Sequence, residues 1–331
     1  MAASPQRGHA NEGDAVMQSM SFFGIDASGA ELVVAASDQR HVPLTIANRA
    51  AAIGQWLDAL PAHAVIGIES TGSCHAALVG AACARGLRVY LLNALDVRHY
   101  ARSLGRRGKT DRVDAEVIAR YVAQEHSQLH AYTPPAPDLA TLEALLRRRA
   151  LCVQCRAQIA QSLDPLPDVT AAAAALRAEF DHFITAIDDA ITQRISADLD
   201  RRTRWQRLMT IPGVGPLVAA MLVSLFERVP FHRAQAVVAF TGLDPRPCDS
   251  GPKRGRRRLS KRGPPEVRRL LYLAAMAFAR TLVGRTHLDH HRAKQLSSTA
   301  VYVILARKLI RIAWSINRSG KPFDPQCLAA A

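Results

Sequence analysis

FFGIDASGAELVVAASDQRHVPLTI, residues 22–46, is the stretch whose reading decides the fold class. Residues 22–27 form a short apolar run that reaches an acid, Asp26. Residues 32–36 and 42–46 read as two further strands, with Gly29 and Asp38–Gln39 supplying the turns. Three strands in so short a span make an antiparallel meander. Working outward, residues 49–60 carry apolar side chains at helical spacing, at Ile53, Trp56, Leu57 and Leu60. HAVIGIES (63–70) reads as a buried strand ending in Glu69, residues 75–86 as a helix closed by a glycine, and 88–94 as another strand. Residues 111–125 complete the series as an amphipathic helix. The order βββ-α-β-α-β-α predicts a mixed sheet with helices on its faces.

Prolines 134, 135 and 137 end this α/β region. Residues 139–162 and 171–200 then read as two long helices joined by DPLPD (164–168). The second carries a seam at Leu176, Phe180, Phe183, Ile184, Ile187, Ile191 and Ile195, so an antiparallel helical arm is expected, with an apolar face available for an oligomer contact. From residue 204 onward the chain reads as helices with loops. The expected division is a disordered tail at 1–20, an α/β domain at 21–126, a linker and coiled-coil arm at 127–203, and a mostly helical domain at 204–331.

Charge is divided as unevenly as fold class. Residues 1–200 hold 18 Lys and Arg against 22 Asp and Glu, whereas residues 201–331 hold 25 against 6. A globular half with that surplus calls for a polyanionic partner, nucleic acid first and an anionic membrane surface second. No run of about 18 apolar residues spans a membrane, and the polar first 20 residues lack a signal-peptide core. A cytoplasmic protein with no membrane partner is expected, and its six cysteines are expected to be reduced thiols. Cys152 and Cys155 form one CxxC without a second pair, which reads as two thiols on a helix face.

Four carboxylates stand where phosphoryl-transfer chemistry needs them. Asp26 and Glu69 lie at strand ends, and Asp111 and Asp114 lie one helical turn apart on one face. Hard oxygen ligands of this kind suit Mg²⁺ or Mn²⁺. Taken singly, Asp26 is equally a turn residue and Asp111 a helix cap. Glu69 is harder to dismiss, because it follows a buried strand and binding sites concentrate at strand carboxyl ends.

In the basic half, KRGRRRLSKRGPPEVRR (253–269) holds nine cations, Lys253, Arg254, Arg256, Arg257, Arg258, Lys261, Arg262, Arg268 and Arg269, against one Glu. Such a run binds phosphates, or is simply a solvated loop. Upstream, IPGVGP (211–216) resembles a helix-hairpin-helix turn in which Gly213 and Gly215 let backbone amides approach phosphates. By composition Ser250 and Ser260 are both ordinary loop serines. His287, His290 and His291 read as surface or nucleic-acid-facing residues.

GIDAS around Asp26, IESTG around Glu69 and GKTDRVDAEVIARY around Asp111 and Asp114 resemble the DEDD signature of a group of bacterial insertion-sequence transposases, the family numbered one hundred and ten. The stretch from IPGVGP through GLDPRPCDSG to LSKRGPPEVRRLLYLAAMA, and the closing ARKLIRIAWSINRSGKPFDP, resemble that family's C-terminal domain. The resemblance implies an RNase H-like, RuvC-like resolvase fold for residues 21–126, with Asp26, Glu69, Asp111 and Asp114 as the tetrad binding Mg²⁺ or Mn²⁺. It implies Ser250 as nucleophile, target and donor DNA as substrates, and a structured guide RNA. It also implies a homo-oligomer, dimer or tetramer, that pairs the acidic domain of one protomer with the serine domain of another. Two other readings stay open: a resolvase-like metal-dependent endonuclease without a covalent intermediate, and a non-catalytic nucleic-acid binder. Residues 284–299 depart from the family pattern, because they lack a Gly-Lys element.

Overall fold

The computed structural model describes residues 20–38, 42–70, 72, 74–105, 110–163, 166–247, 249, 251, 255 and 257–326. The chain divides into two compact units, residues 1–134 and 135–331. The tail expected at 1–20 falls outside the described residues but for Met20.

The first unit is built on one five-stranded sheet. Its strands are β1 (Ser21–Ala27), β2 (Glu31–Ala36), β3 (Leu44–Ala47), β4 (Ala64–Glu69) and β5 (Arg88–Leu92), in the order β3-β2-β1-β4-β5. The β1–β2 and β2–β3 pairs are antiparallel, and β1–β4 and β4–β5 are parallel. Helices α1 (Ala50–Asp58), α2 (Ala76–Ala84), α3 (Ala94–Ser103) and α4 (Asp111–Glu125) cover it. Strand alternation sorts the core into two layers. Ile25, Ile66 and Ile68 pack with Ile53 and Leu57 of α1 and Leu78, Val79 and Ala82 of α2. Val65, Tyr90 and Leu92 pack on the opposite side with Val97 of α3 and Val117, Ile118 and Val122 of α4. Interior strand β4 is buried along nearly its whole length, which is why its sequence reads as an unbroken apolar run.

Helix α3 departs from the sequence expectation, which left residues 95–104 unassigned. It starts because the Asn93 side chain accepts the Leu95 amide at 2.9 Å. Only Val97 of the helix is buried, so its apolar periodicity is faint.

The second unit is helical apart from a two-stranded hairpin. Helices α5 (Pro137–Leu163) and α6 (Thr170–Ser196) pack on each other, joined through a short 3₁₀ turn at Pro167–Val169. The ion pairs Arg149–Asp188, Arg156–Asp181 and Arg194–Asp138 run from late residues to early ones, so the two helices are antiparallel. The expected seam is buried only over its second half, at Ile184, Ile187, Ile191 and Ile195. Leu176 and Phe183 are 42 % and 55 % exposed, because only those later isoleucines reach the core.

That core gathers α7 (Leu199–Met209), α8 (Pro216–Arg228), α9 (Ala234–Thr241), α10 (Pro265–Phe278), α11 (Leu282–Arg292) and α12 (Ser298–Ser319). Helix α8 is buried continuously from Val218 to Phe226. Strands β6 (Pro245–Arg246) and β7 (Arg258–Leu259) form the hairpin. By its apolar spacing PEVRRLLYLAAMAFARTLV (265–283) reads as one helix, but the structure breaks it after Phe278. A new cap begins there, the Thr281 hydroxyl accepting the Gly284 amide at 3.1 Å, and most of residues 284–299, which read from the sequence as a loop between the last two helices, is helix α11. Among the described residues no helix is long and apolar enough to cross a membrane.

Candidate functional site

The acidic site is positioned by two glycines. Gly24 and Gly67 are register partners in the parallel β1–β4 pair. A Cβ on Gly24 would lie 2.1 Å from the Ala119 nitrogen and 2.2 Å from the Ala115 oxygen, both backbone atoms of α4. A Cβ on Gly67 would lie 2.3 Å from the Val122 side chain. Helix α4 therefore rests directly on the sheet at a distance that no side chain permits. Residues i and i+2 of a strand share a face, so Asp26 and Glu69 lie on the side that α4 covers. The N-terminal turn of α4 carries Asp111 and Asp114. Thr110 caps it, its hydroxyl accepting the Val113 amide at 3.3 Å, and carboxylates in a first turn oppose the helix dipole.

The electrostatics follow from this packing. The Asp26 carboxyl is pushed up to about 6, first by burial and then by the charges of Asp111, Asp114 and Glu69, against a lowering hydrogen bond from the Ala27 amide. Glu69, Asp111 and Asp114 thus all act electrostatically on Asp26. Among the described residues, no three His, Cys, Asp or Glu side chains are gathered closely enough to hold a metal ion as they stand. The donor set is chemically right for a hard divalent cation, and the crowding of negative charge at Asp26 is what such a cation relieves.

Sequence reasoning found the acids but passed over the two glycines. The signal was present: GID at 24–26 and GIE at 67–69 each place a strand glycine two residues before the acid.

The basic region divides into several environments. Ser250, Lys253, Arg254 and Arg256 lie outside the described residues. Arg257 donates to Asp249 at 2.6 Å, and the Gly255 amide donates to the same carboxylate at 3.1 Å. Arg257 holds the Asp249 carboxyl below its usual range. Arg258 belongs to β7, and Lys261 adopts a left-handed backbone with φ of 54°. Lys261 and Arg262 are both exposed. Arg268 donates to the Gly263 and Thr241 carbonyls, so its guanidinium fastens the loop to α9. Arg269 pairs with Glu266 through two contacts, at 2.7 and 2.6 Å.

Ser260 is 7 % exposed and its hydroxyl donates to Asp244, whose carbonyl also accepts the Ser260 amide. The glycine turn has a packing reason. Gly213 has a φ of +84°, and a Cβ there would meet the Phe278 nitrogen at 2.4 Å, while Gly215 is exposed at the N-cap of α8. Cys152 and Cys155 are free thiols on α5. His287 contacts Lys308 at 3.1 Å, and the His290 and His291 rings lie 5.2 Å apart.

Comparison with known proteins places the chain in a family. A transposase model carrying the DEDD name of the IS110 group matches residues 23–166, and a model of the IS116/IS110/IS902 transposase family matches residues 205–291. The chain is 29% identical over 276 residues to the pilin gene-inverting protein of Moraxella bovis, covering 78% of this chain and 81% of that one. It is 26% identical over 278 residues to the transposase of insertion sequence element IS1328 of Yersinia enterocolitica, covering 72% and 79%. A third relative is the transposase of IS1111A of Coxiella burnetii, 26% identical over 266 residues, covering 70% and 71%. With its acidic and basic halves matched in succession, the chain belongs to the IS116/IS110/IS902 family of insertion-sequence transposases, enzymes that cut and rejoin DNA.

Proposed function

We propose that this transposase cuts and rejoins DNA through Ser250, assisted by a divalent cation, Mg²⁺ or Mn²⁺, held by Asp26, Glu69, Asp111 and Asp114. The observation that carries the reading is placement: Asp26 near the end of β1 and Glu69 at the end of the adjacent parallel β4 lie on the sheet face that α4 covers, and the first turn of α4 carries Asp111 and Asp114. The strand order β3-β2-β1-β4-β5, with its first three strands antiparallel, supports an RNase H-like, RuvC-like assignment for the first unit.

When bound, the cation supplies a Lewis acid for the phosphate oxygens. The chain's own residues do the rest. The Ser250 oxygen forms a bond to the scissile phosphorus, the P–O bond to one strand end breaks, and the hydroxyl proton passes to a base. The freed strand end leaves as a hydroxyl, and rejoining reverses the step with a hydroxyl from the other duplex, so no external energy source is required. Of the two serines in the basic region, Ser260 is already engaged by Asp244, which favours Ser250. The cations Lys253, Arg254, Arg256, Arg257, Arg258, Lys261 and Arg262 offset phosphate charge in this reading.

The same reading assigns a structured guide RNA, target and donor DNA and a homo-oligomer as partners. The cation surplus of residues 201–331 supports a large nucleic-acid load. Incubation with DNA followed by a denaturing gel tests the chemistry. Wild type is expected to yield a protein–DNA adduct, and Ser250→Ala and Asp114→Asn none. Cleavage without any adduct in wild type would establish instead the resolvase-like endonuclease.

A further inference from the structure

Helix α12 buries one face in the core, at Val301, Leu305, Leu309 and Ile310. Its other face walls a groove of about 730 Å³ whose second wall is the returning chain after Gly320. That return is fixed: Gly320 caps α12 with a φ of +68°, and the Phe323 amide donates to the Thr210 hydroxyl at 2.8 Å. Four cations line the groove, Arg307, Lys308 and Arg311 from the helix and Lys321 from the return. Ile312 and Phe323 are among its apolar lining. Among the described residues lining it, Asp324 is the only acid, and its carboxylate accepts the Gln326 amide at 2.8 Å.

The cations are poorly neutralised. The Arg307 Nε is buried with no hydrogen-bond partner. Burial and the neighbouring Arg311 lower the Arg307 guanidinium from its ordinary value, with Asp244 opposing, and burial lowers Lys308. Lys308 faces His287 at 3.1 Å, a neutral or cationic group and not an acid. Like charges held together in a dented apolar surface cost free energy unless an anion arrives.

We propose that this groove seats a short single-stranded DNA segment, phosphates on the four cations and a base against Phe323 and Ile312. The volume suits about one or two nucleotides, within the ~300–1,000 Å³ of enclosed ligand sites, and is too small to take in a duplex. Cations beside an aromatic platform are the pairing that single strands use. Strand exchange by a transposase passes through cut DNA ends, which is why DNA is the expected occupant. The inference rests on the family's DNA activity and is independent of Ser250 and of the four carboxylates.

The test uses full-length protein in EDTA, so that no cleavage chemistry enters. Anisotropy titrations with an oligothymidylate of about 12 nucleotides, the matching oligouridylate and a duplex compare wild type with Arg311→Ala/Lys321→Ala, both exposed positions. The double variant is expected to bind oligothymidylate at least about fivefold more weakly. Its salt dependence should lose about 1.4 units of slope, at about 0.7 per single-strand phosphate contact, with duplex affinity nearly unchanged. Phe323→Leu is expected to weaken single-strand binding without altering the slope. Arg148→Ala/Arg177→Ala removes equal charge from exposed positions on the arm and is expected to have little effect. Unchanged oligothymidylate binding, an equal loss for duplex, an equal loss in the arm control, or a loss confined to oligouridylate would each overturn the proposal.

Discussion

Gly24 and Gly67 stand side by side in adjacent parallel strands, and helix α4 rests on both. The contact at Gly24 is with α4 backbone, and the contact at Gly67 is with the tip of Val122. This difference predicts different outcomes for the same substitution. Gly24→Ala must lift the helix, since backbone cannot yield by a rotamer change, and should cost about 3 kcal/mol or more. Gly67→Ala should cost about 1–3 kcal/mol, and Val122→Ala should recover part of that loss. Urea denaturation of the two single variants, Val122→Ala and both double variants measures this. Rescue of Gly24→Ala by Val122→Ala would contradict the backbone contact.

The Asp26 carboxyl makes stability depend on pH in a direction that can be worked out. Its ordinary value is 3.8 and its folded value is about 6, so the native state binds the proton more tightly. Stability from this group is therefore full below about 4 and is lost as pH rises through 6. Asp26→Asn should stabilise the metal-free protein at pH 8, by about 1–2 kcal/mol after allowance for solvent at a half-buried site. The gain should fade as pH is lowered toward 4. Thermal melts in EDTA read it directly. Added Mg²⁺ should raise the wild-type melting temperature at pH 8, with a smaller rise for Asp26→Asn.

Arg201 and Glu227 form a bidentate pair at 2.8 and 2.6 Å, tying α7 to α8. Arg201 is 7 % exposed, so removing its partner leaves a charge with little access to water. Glu227→Ala should cost about 2–4 kcal/mol. Replacing both residues by Met should recover most of this, because the stranded charge disappears with the pair. Chemical denaturation of the single and double variants decides it, and a double variant as unstable as Glu227→Ala would count against the argument.

The first unit was nearly all legible in the sequence because each strand there alternates or runs apolar to a clear stop. Helix α4 spans the predicted residues 111–125, opening at a Thr cap and carrying Val117, Ile118 and Val122 inward. What escaped was structure without an apolar signature. Helix α3 buries only Val97, and α11 buries only Gly284 and Leu288. The arm seam was over-read, since spacing reports a potential contact and not whether the core extends far enough to make it. Gly213 shows the same limit: its turn is visible in IPGVGP, but that its backbone must clear Phe278 is a tertiary fact. Local charge gave no warning that Arg268 and Arg269 would turn to carbonyls and to Glu266.

Ser250 and Ser260 share the basic region, and their expected roles are opposite. Ser260 is buried, its hydroxyl bonded to Asp244 and its amide to the Asp244 carbonyl. A serine so held steadies the chain as it leaves β7, and its hydroxyl is shielded from solvent and already engaged. Ser260→Ala should cost about 1–2 kcal/mol, since it removes a buried donor and leaves the Asp244 carboxylate with one partner fewer. It should leave the covalent protein–DNA adduct in place once corrected for folded fraction. Ser250→Ala should do the reverse, with unchanged stability, DNA affinity near wild type, and no adduct. Denaturation curves and denaturing gels on both variants give four readings that only this assignment satisfies together. An adduct that survives Ser250→Ala and vanishes in folded Ser260→Ala would transfer the nucleophile to the buried serine and require the Asp244 contact to open.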